Sequence, residues 1–459
     1  MNATPVNKTR LGRMSRIACW LACALTVACL SVHAGACSAA QDSATSDQTK
    51  KLSLQESIDL ALARNKTVLI QKQEVESMKG QVAQARSAAL PNLSGYTEYI
   101  FTKGKMNFGG TEGIEFELDD KYYEAGVTLQ QTIYSAGRVG AALRAAKAAR
   151  GYAHENLEAA NKEVTYGVKA SFGGVLLAQQ LDGLAEQSLE LARAHLTNVE
   201  QLYAQGVASE YELIRARVQV AQMVPPSIRA ENELDQTLIV FRNTLGLSAD
   251  EKVEPEGTLE RKPVEISVEE AFARAKEKRN ELAAARLRVD GMKAALTVAK
   301  ADRYPSLSFI GNAYLDTEQP EFDEKEWRTK IWSTTLYLSL PIFDGLRTRG
   351  NITQTRAQYE QARLASEQTV DNVRLEVERA VSKLAEARKL VDSQVASVEQ
   401  AQKGLDIADI RYKNGVGNQL EVLDAQVALA RARTSYFTAV YEHFMAVAEL
   451  ERATGTTFE

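Results

Sequence analysis

The sequence contains two similar copies of one long unit, and this internal duplication constrains its fold more than any other feature. Residues 90–94 (LPNLS) return as residues 304–308 (YPSLS). Further along, residues 203–207 (YAQGV) return as residues 412–416 (YKNGV). A repeated unit of about 200 residues is much longer than the repeats of solenoid proteins. The sequence therefore predicts a protomer with internal pseudo-symmetry.

The two copies span residues 52–250 and 266–453, and each has the same predicted order of elements. This order is helix, helix, strand, loop, strand, long helix, turn and returning helix. The first helix of each copy follows a serine with a glutamate three residues later, a capping-box pattern. The second helix ends before a proline, which disfavours helical backbone in the residue that precedes it.

After each proline the hydrophobic period changes from helical to two. Apolar and polar residues alternate over 122–131 and again over 332–340. Two interpretations remain open: a transmembrane barrel with a lipid-facing apolar side, or a soluble antiparallel sheet with one wet face. Four strands cannot close a barrel, so the transmembrane interpretation requires several protomers to contribute strands to a single barrel. Polar loops are expected near 103–121 and 317–328.

The long helices carry hydrophobic residues at strict intervals of seven. In the second copy these are Val370, Val377, Leu384, Val391, Val398, Leu405 and Tyr412. The first copy repeats the register between Val168 and Tyr203, and small residues lie between the heptad positions in both copies. A period of seven predicts a coiled-coil seam. A helix from Arg138 to Tyr203 would be about 100 Å long at 1.5 Å per residue.

Each long helix should end at a glycine-containing turn, followed by a helix that runs back. The returning helices are expected near 210–245 and 419–453, with Ser209 and Asn418 as N-caps. Pro225-Pro226 should kink or interrupt the first of them, because proline has no N–H to donate. The second copy has no equivalent prolines.

Residues 1–36 have the features of an export signal. Basic residues precede an apolar run from Ile17 to Leu30, and small residues follow. Cleavage after Ala34 is one alternative, and lipoprotein processing at Cys29 or Cys37 is the other. All four cysteines lie in the first 37 residues, so the exported chain must be held together by packing or oligomerisation and not by a disulfide framework.

Composition and motifs also exclude several classes of function. The chain has 55 basic and 60 acidic residues and a net charge of -5, which argues against a nucleic-acid partner. It lacks a phosphate-binding glycine loop, a metal-spaced His/Cys cluster and a nucleophile motif, so neither an enzyme nor a cofactor is expected. His154, His195 and His443 are scattered singly and are interpreted as ordinary helix-surface positions.

These motifs, in order and duplicated, resemble the TolC family of outer-membrane efflux and secretion channels. The resemblance rests on the two proline segments, on residues 340–345 (LPIFDG), on 411–416 (RYKNGV) and on 420–426 (LEVLDAQ). It implies a mainly α fold with a β-barrel part. Three chains would form a twelve-stranded transmembrane barrel in outer-membrane lipid, continued by a long α-helical coiled-coil barrel across the periplasm.

The resemblance also implies a function. The homotrimer would be the exit duct of a tripartite efflux or type I secretion system, and it would conduct substrates passively. Its partners would be a periplasmic adaptor and an inner-membrane pump of the RND or ABC type. The alternative from the heptads alone is an envelope coiled-coil scaffold without a channel.

By this resemblance the turns between long and returning helices form the periplasmic entrance. The candidate gate residues are Tyr412, Glu421, Asp424 and Glu212. The candidate adaptor-contact residues are Gly206, Val207, Gly415 and Val416. One departure is Gly417, where well-known family members have arginine, so the constriction could be differently bonded. The alternative is that these acids are only solvated turn charges.

Overall fold

The computed structural model describes most of the chain: residues 50–108, 114–259, 264–317 and 329–458. The predicted signal, with Cys29 and Cys37, lies outside the described residues, as does nearly all of the loop expected near 317–328.

The elements follow the predicted order in both copies. The first copy contains α1 (Leu54–Arg64), α2 (Lys66–Ser87), β2 (Asn92–Phe108), β3 (Ile114–Tyr134), α3 (Arg138–Ala204) and α4 (Glu210–Thr244). The second contains α5 (Val268–Lys278), α6 (Asn280–Ala301), β5 (Ser306–Thr317), β6 (Thr329–Ser339), α7 (Arg347–Lys413) and α8 (Gln419–Thr454). Two short strands not predicted, β1 (Lys50–Leu52) and β4 (Val253–Pro255), pair in parallel and join the start of the first copy to the linker.

The long strands form one antiparallel sheet in the order β2-β3-β5-β6 within the described residues. The strand predictions are confirmed, but the predicted bounds of the loop near 103–121 are too wide. Strand β2 continues to Phe108 and β3 begins at Ile114, and these two residues are paired. Polar side chains there indicated contact with water, whereas the backbone ladder depends only on N–H and C=O groups and continues past them.

Cross-strand partners share a face of a sheet, and the register therefore defines two faces. Three successive rows of one face are Ser94, Thr128, Asn312 and Ser333; Tyr96, Gly126, Tyr314 and Ile331; and Glu98, Glu124, Asp316 and Thr329. The opposite face carries Leu93, Leu129, Val127, Ala313, Trp332 and Leu336. Trp332 is 77% exposed and Leu336 is 67% exposed. The apolar face is therefore uncovered in the protomer.

The two long helices α3 and α7 each have 67 residues, which corresponds to about 100 Å. The heptad prediction is confirmed by burial along both seams. Buried seam residues include Val164, Val168, Val175 and Ala178 of α3 and Val373, Val377, Ala380 and Leu384 of α7. Tyr203 is an exception, since 43% of it is exposed.

The cap predictions are confirmed, with one difference between the copies. Ser53 and Glu56 form a complete capping box at the start of α1. In the second copy the Ser267 Oγ accepts the Glu270 N–H at 3.2 Å. The carboxylate of Glu270 instead accepts a hydrogen bond from Arg274 at 2.7 Å. The duplicated pattern therefore gives only half of the box at α5.

Pro225 and Pro226 do not interrupt α4, which is continuous from Glu210 to Thr244. The interruption alternative is therefore wrong. Two prolines leave two carbonyl groups of the preceding turn without helical N–H donors. Both prolines are exposed, so water can satisfy these carbonyls. None of the described helices combines the length and the apolar character that crossing a membrane would require.

Candidate functional site at the hairpin turns

The turns α3-α4 and α7-α8 have the same backbone geometry. Gly206 and Gly415 adopt φ of +75° and +71°, the left-handed region that glycine enters without steric cost. The following residues, Val207 and Val416, each donate their N–H to a carbonyl five residues earlier, at 2.9 and 3.0 Å. Their side chains are 72% and 67% exposed. Each hairpin therefore ends in a tight turn with an exposed apolar side chain.

Glu212 is held at the start of α4. Its Oε2 accepts hydrogen bonds from the N–H of Ser209 at 2.7 Å and from the Ser209 hydroxyl at 3.0 Å. The Ser209 Oγ accepts the Glu212 N–H at 3.2 Å in return. This reciprocal capping box satisfies donors at the helix N-terminus and fixes the position of the carboxylate.

Glu421 has the corresponding place at the start of α8, and Arg411 extends its contacts. The Asn418 side chain accepts the Glu421 N–H at 3.0 Å and donates to Glu421 Oε1 at 3.3 Å. Arg411 Nε donates to Glu421 Oε2 at 3.2 Å, and its Nη2 donates to the Val416 carbonyl at 3.2 Å. The guanidinium group thus connects both sides of the second hairpin.

Gly417 lies against the same arginine. A Cβ atom on Gly417 would be 3.0 Å from the Arg411 Cβ and 3.1 Å from the Arg411 carbonyl carbon. A side chain at this position would crowd the end of α7. The sequence reasoning recognised the absence of a guanidinium at 417 but missed that Arg411 places one within the same turn. That contact bridges two helices, and no local pattern indicates it.

The structure brings Tyr412 and Glu212 of different hairpins near each other. The pKa of the Tyr412 hydroxyl is raised, first by burial and second by the negative charge of Glu212. Asp424 is exposed and has no hydrogen-bonding or ionic partner within the described residues. Tyr412, Glu212 and Glu421 therefore lie in structured surroundings, whereas Asp424 extends into solvent.

His195 makes a contact between the hairpins that the sequence interpretation missed. Its Nε2 lies 2.5 Å from the Nε2 of Gln419, the first residue of α8. Gln419 is 5% exposed, and burial lowers the pKa of the His195 imidazole. The surface expectation is also wrong for His443, which is 1% exposed. A single histidine in a helical pattern gives no signal that would distinguish these environments.

No group of His, Cys, Asp or Glu side chains in the part of the chain that the structure describes is arranged to hold a metal ion.

Comparison with known proteins identifies the family to which this sequence is similar. The sequence profile of the outer membrane efflux protein family matches residues 57–247 and 272–456, once for each copy. The cobalt-zinc-cadmium resistance protein CzcC of Cupriavidus metallidurans is 25% identical over 408 residues, covering 88% of this chain and 90% of CzcC. The outer membrane protein TolC of Escherichia coli is 22% identical over 396 residues, covering 83% of this chain and 77% of TolC.

The fold is shared with solved outer-membrane channels. The Campylobacter jejuni CmeC outer membrane channel has a TM-score of 0.79 at 19% identity, covering 88% of this chain and 86% of CmeC. CusC has a TM-score of 0.75 at 18% identity, covering 89% of this chain and 94% of CusC. Together with the family match over both copies, this favours the channel over the scaffold alternative.

The sheet and the long helices therefore belong to a channel of the cell outer membrane with a long periplasmic helical part. Such channels act together with adaptor and pump components in tripartite efflux systems. The chain belongs to the outer membrane efflux protein family, and it is an outer-membrane efflux channel.

Proposed function

We propose that three copies of the chain assemble into a passive exit duct that catalyses no chemistry. The observation that carries this proposal is the two-faced sheet. Strands β2 and β6 lie at its edges, and edge strands present unpaired N–H and C=O groups. Pairing β6 of one copy with β2 of the next, three times, closes a twelve-stranded barrel. The polar face then lines the lumen, and the apolar face meets lipid.

The hairpin turns form the periplasmic entrance in this assembly. We infer that the hairpins are held in the resting arrangement where Tyr412 of the second hairpin lies near Glu212 of the first, whose negative charge acts on the Tyr412 hydroxyl. Glu421 and Asp424 give rings of negative charge in the trimer, and such rings favour cations over anions. Arg411 pairs with Glu421 inside its own hairpin, so this ion pair does not link the two hairpins.

The turns themselves contact the periplasmic adaptor. Gly206, Val207, Gly415 and Val416 support this proposal because the valine side chains are exposed at the ends of both hairpins. Burial of an apolar side chain stabilises a contact by about 1.5–3 kcal/mol, so the two exposed valines of each protomer would contribute to docking, while Gly206 and Gly415 form the turns that present them. The inner-membrane pump, of the RND or ABC type, would connect through this adaptor.

The gate is tested by conductance of the purified protein in planar lipid bilayers. We expect the double variant Glu421→Ala/Asp424→Ala to have an altered resting conductance and to lose block by a trivalent cation added on the periplasmic side, because the rings of negative charge are removed. Glu399→Ala is the matched control, because Glu399 lies in α7 and pairs with Lys403 on the helix surface at 2.6 Å. If the double variant keeps both wild-type conductance and wild-type cation block, the gate assignment is wrong.

The trimer is tested separately. Outer-membrane fractions run on gels without heating should contain a species of three times the protomer mass that disappears on boiling. A monomer in these fractions would contradict the assembly, whatever the conductance experiments give.

A further inference from the structure

The polar face of the sheet contains one glycine on which an aromatic ring lies. Tyr96, Gly126 and Tyr314 form one row across β2, β3 and β5. A Cβ atom on Gly126 would lie 2.9 Å from the Cε1 and Cζ atoms of the Tyr96 ring and 2.7 Å from the Tyr314 Cβ. Real Cβ atoms essentially never approach other atoms so closely. The Tyr96 ring therefore occupies the space directly above Gly126.

The Tyr96 side chain is fixed at both ends. Its backbone belongs to β2, and its hydroxyl group donates a hydrogen bond to Glu124 Oε1 of β3. Glu124 is two residues from Gly126 and shares its face. A phenol that bonds to the neighbouring strand must cross that strand along the sheet. The ring therefore lies along the surface of the sheet and does not project from it.

Backbone conformation does not require a glycine at position 126. Gly126 is not among the residues with positive φ, so a larger residue could adopt its backbone geometry. Gly95, the neighbour of Tyr96 on the opposite face, has no such constraint, because a Cβ there would meet only the Gly126 carbonyl oxygen at 3.9 Å. The specific demand for glycine at position 126 comes from the ring of Tyr96 and from the close approach of Tyr314.

We propose that Gly126 determines the bore of the barrel, because it lets the Tyr96 ring lie flat against the lumen wall. This inference rests on the proposed trimeric channel, in which the polar face of the sheet lines the lumen. A side chain at position 126 displaces the ring from the wall, and the only open space on that face is the lumen. Three displaced rings at one level narrow the duct and lower the size of solute that can pass the barrel.

The barrel mouth can be measured apart from the periplasmic entrance by polymer exclusion. Trimers are reconstituted in planar bilayers, and neutral polyethylene glycols of graded size are added to the extracellular side only. Polymers that enter the mouth reduce the ion conductance, and excluded polymers do not. We expect Gly126→Leu to shift the exclusion limit to smaller polymers by at least one step of the series. Gly126→Ala should shift it in the same direction by less.

Two comparisons make the test specific to Tyr96. In the double variant Tyr96→Ala/Gly126→Leu the leucine fills the space that the ring vacates, so the limit should return toward the wild-type value. Gly95→Leu, on the lipid-facing side of the adjacent strand, should leave the limit unchanged. Assembled Gly126→Leu trimers with the wild-type limit would overturn the proposal, as would a double variant that keeps the narrowed limit.

Failure to assemble is also informative. If Gly126→Leu yields no trimer, Gly126→Ala decides, because a leucine also meets the Tyr314 Cβ at 2.7 Å, which Tyr96→Ala does not remove. A Gly126→Ala trimer with the wild-type exclusion limit would then show that the proposal is wrong. Absence of a wild-type trimer on unheated gels would instead refute the proposed function itself.

Discussion

The Nε2 atoms of His195 and Gln419 lie 2.5 Å apart and join the two hairpins of one protomer. His195 belongs to α3, which descends toward the first turn, and Gln419 begins α8 immediately after the second turn. Gln419 is 5% exposed and His195 is half-buried, so this contact is partly shielded from water. Any movement of one hairpin relative to the other at this level must break it and must expose the imidazole.

The first prediction concerns the pH dependence of this contact. Burial lowers the pKa of His195, so the closed arrangement favours the neutral imidazole. An exposed imidazole in an open arrangement has an ordinary pKa of about 6.5. The stability of the closed arrangement is therefore complete well above that pH and is lost as the pH falls below it. We expect the resting conductance in planar bilayers to rise several-fold between pH 7.5 and pH 5.5.

The variant His195→Gln provides the control, because glutamine can still bond to Gln419 but does not titrate in this range. The carboxylates of the entrance are identical in the two proteins, so their titration cancels in the comparison. The variant should lose most of the increase. An equal response of variant and wild type would show that His195 does not contribute.

The second prediction concerns Gly417. In the structure the guanidinium of Arg411 is bonded within its own hairpin, to Glu421 and to the Val416 carbonyl. A further arginine at position 417 would supply a free cation beside the acidic residues of the entrance. We expect Gly417→Arg to lower the resting conductance several-fold in planar bilayers at low salt, and high salt should weaken this effect by screening.

The matched control is Gly417→Gln, which introduces the same crowding against Arg411 without the charge. A Cβ at this position is 3.0 Å from the Arg411 Cβ, so both variants require a small displacement of the turn. If glutamine lowers the conductance as much as arginine does, the displacement and not the charge is responsible.

Much of the fold was predictable because it depends on local patterns. The heptads predicted the buried seams of α3 and α7, and the alternating residues predicted the strands of the sheet. Ser209 and Asn418 were predicted as N-caps from residue type and position alone, and both accept the expected backbone N–H. Each of these inferences uses residues that are close in sequence, where backbone geometry fixes their relation.

The contacts of the candidate site were not predictable, because they depend on how separate elements are placed relative to each other and not on local sequence patterns. His195 meets Gln419 only because helices of separate hairpins have a particular axial offset, and Arg411 meets Glu421 only because of the geometry of the turn between them. A heptad pattern fixes which face of a helix is buried but leaves that offset undetermined. The interruption at Pro225 failed because exposed carbonyls can bind water, and exposure is a property of the packed structure.

The third prediction tests the packing of the first copy. Phe241 of α4 is 0% exposed and packs edge-to-face on Phe172 of α3, with ring centroids 6.0 Å apart. Truncation of a buried phenylalanine to alanine costs about 3–5 kcal/mol. We expect Phe241→Ala to lower the midpoint of thermal loss of helical circular dichroism in detergent. Ile239→Ala, two residues away at a position 54% exposed, should change the midpoint little.

The last prediction concerns the ion pair between Lys169 of α3 and Glu451 of α8. The side chains are only 16% and 12% exposed, and Glu451 Oε1 also accepts the N–H of Phe458 at 3.0 Å. Removing one partner of a fully buried pair costs about 3–5 kcal/mol because the remaining charge is left without compensation, and this partly buried pair should lose less than that. Lys169→Met should therefore lower the same thermal midpoint. Lys169→Met/Glu451→Gln should recover a large part of the loss, because the uncompensated charge is gone and the amide oxygen can still accept from Phe458. If the double variant is as unstable as the single variant, lost packing and not the buried charge determines the stability at this crossing of the two copies.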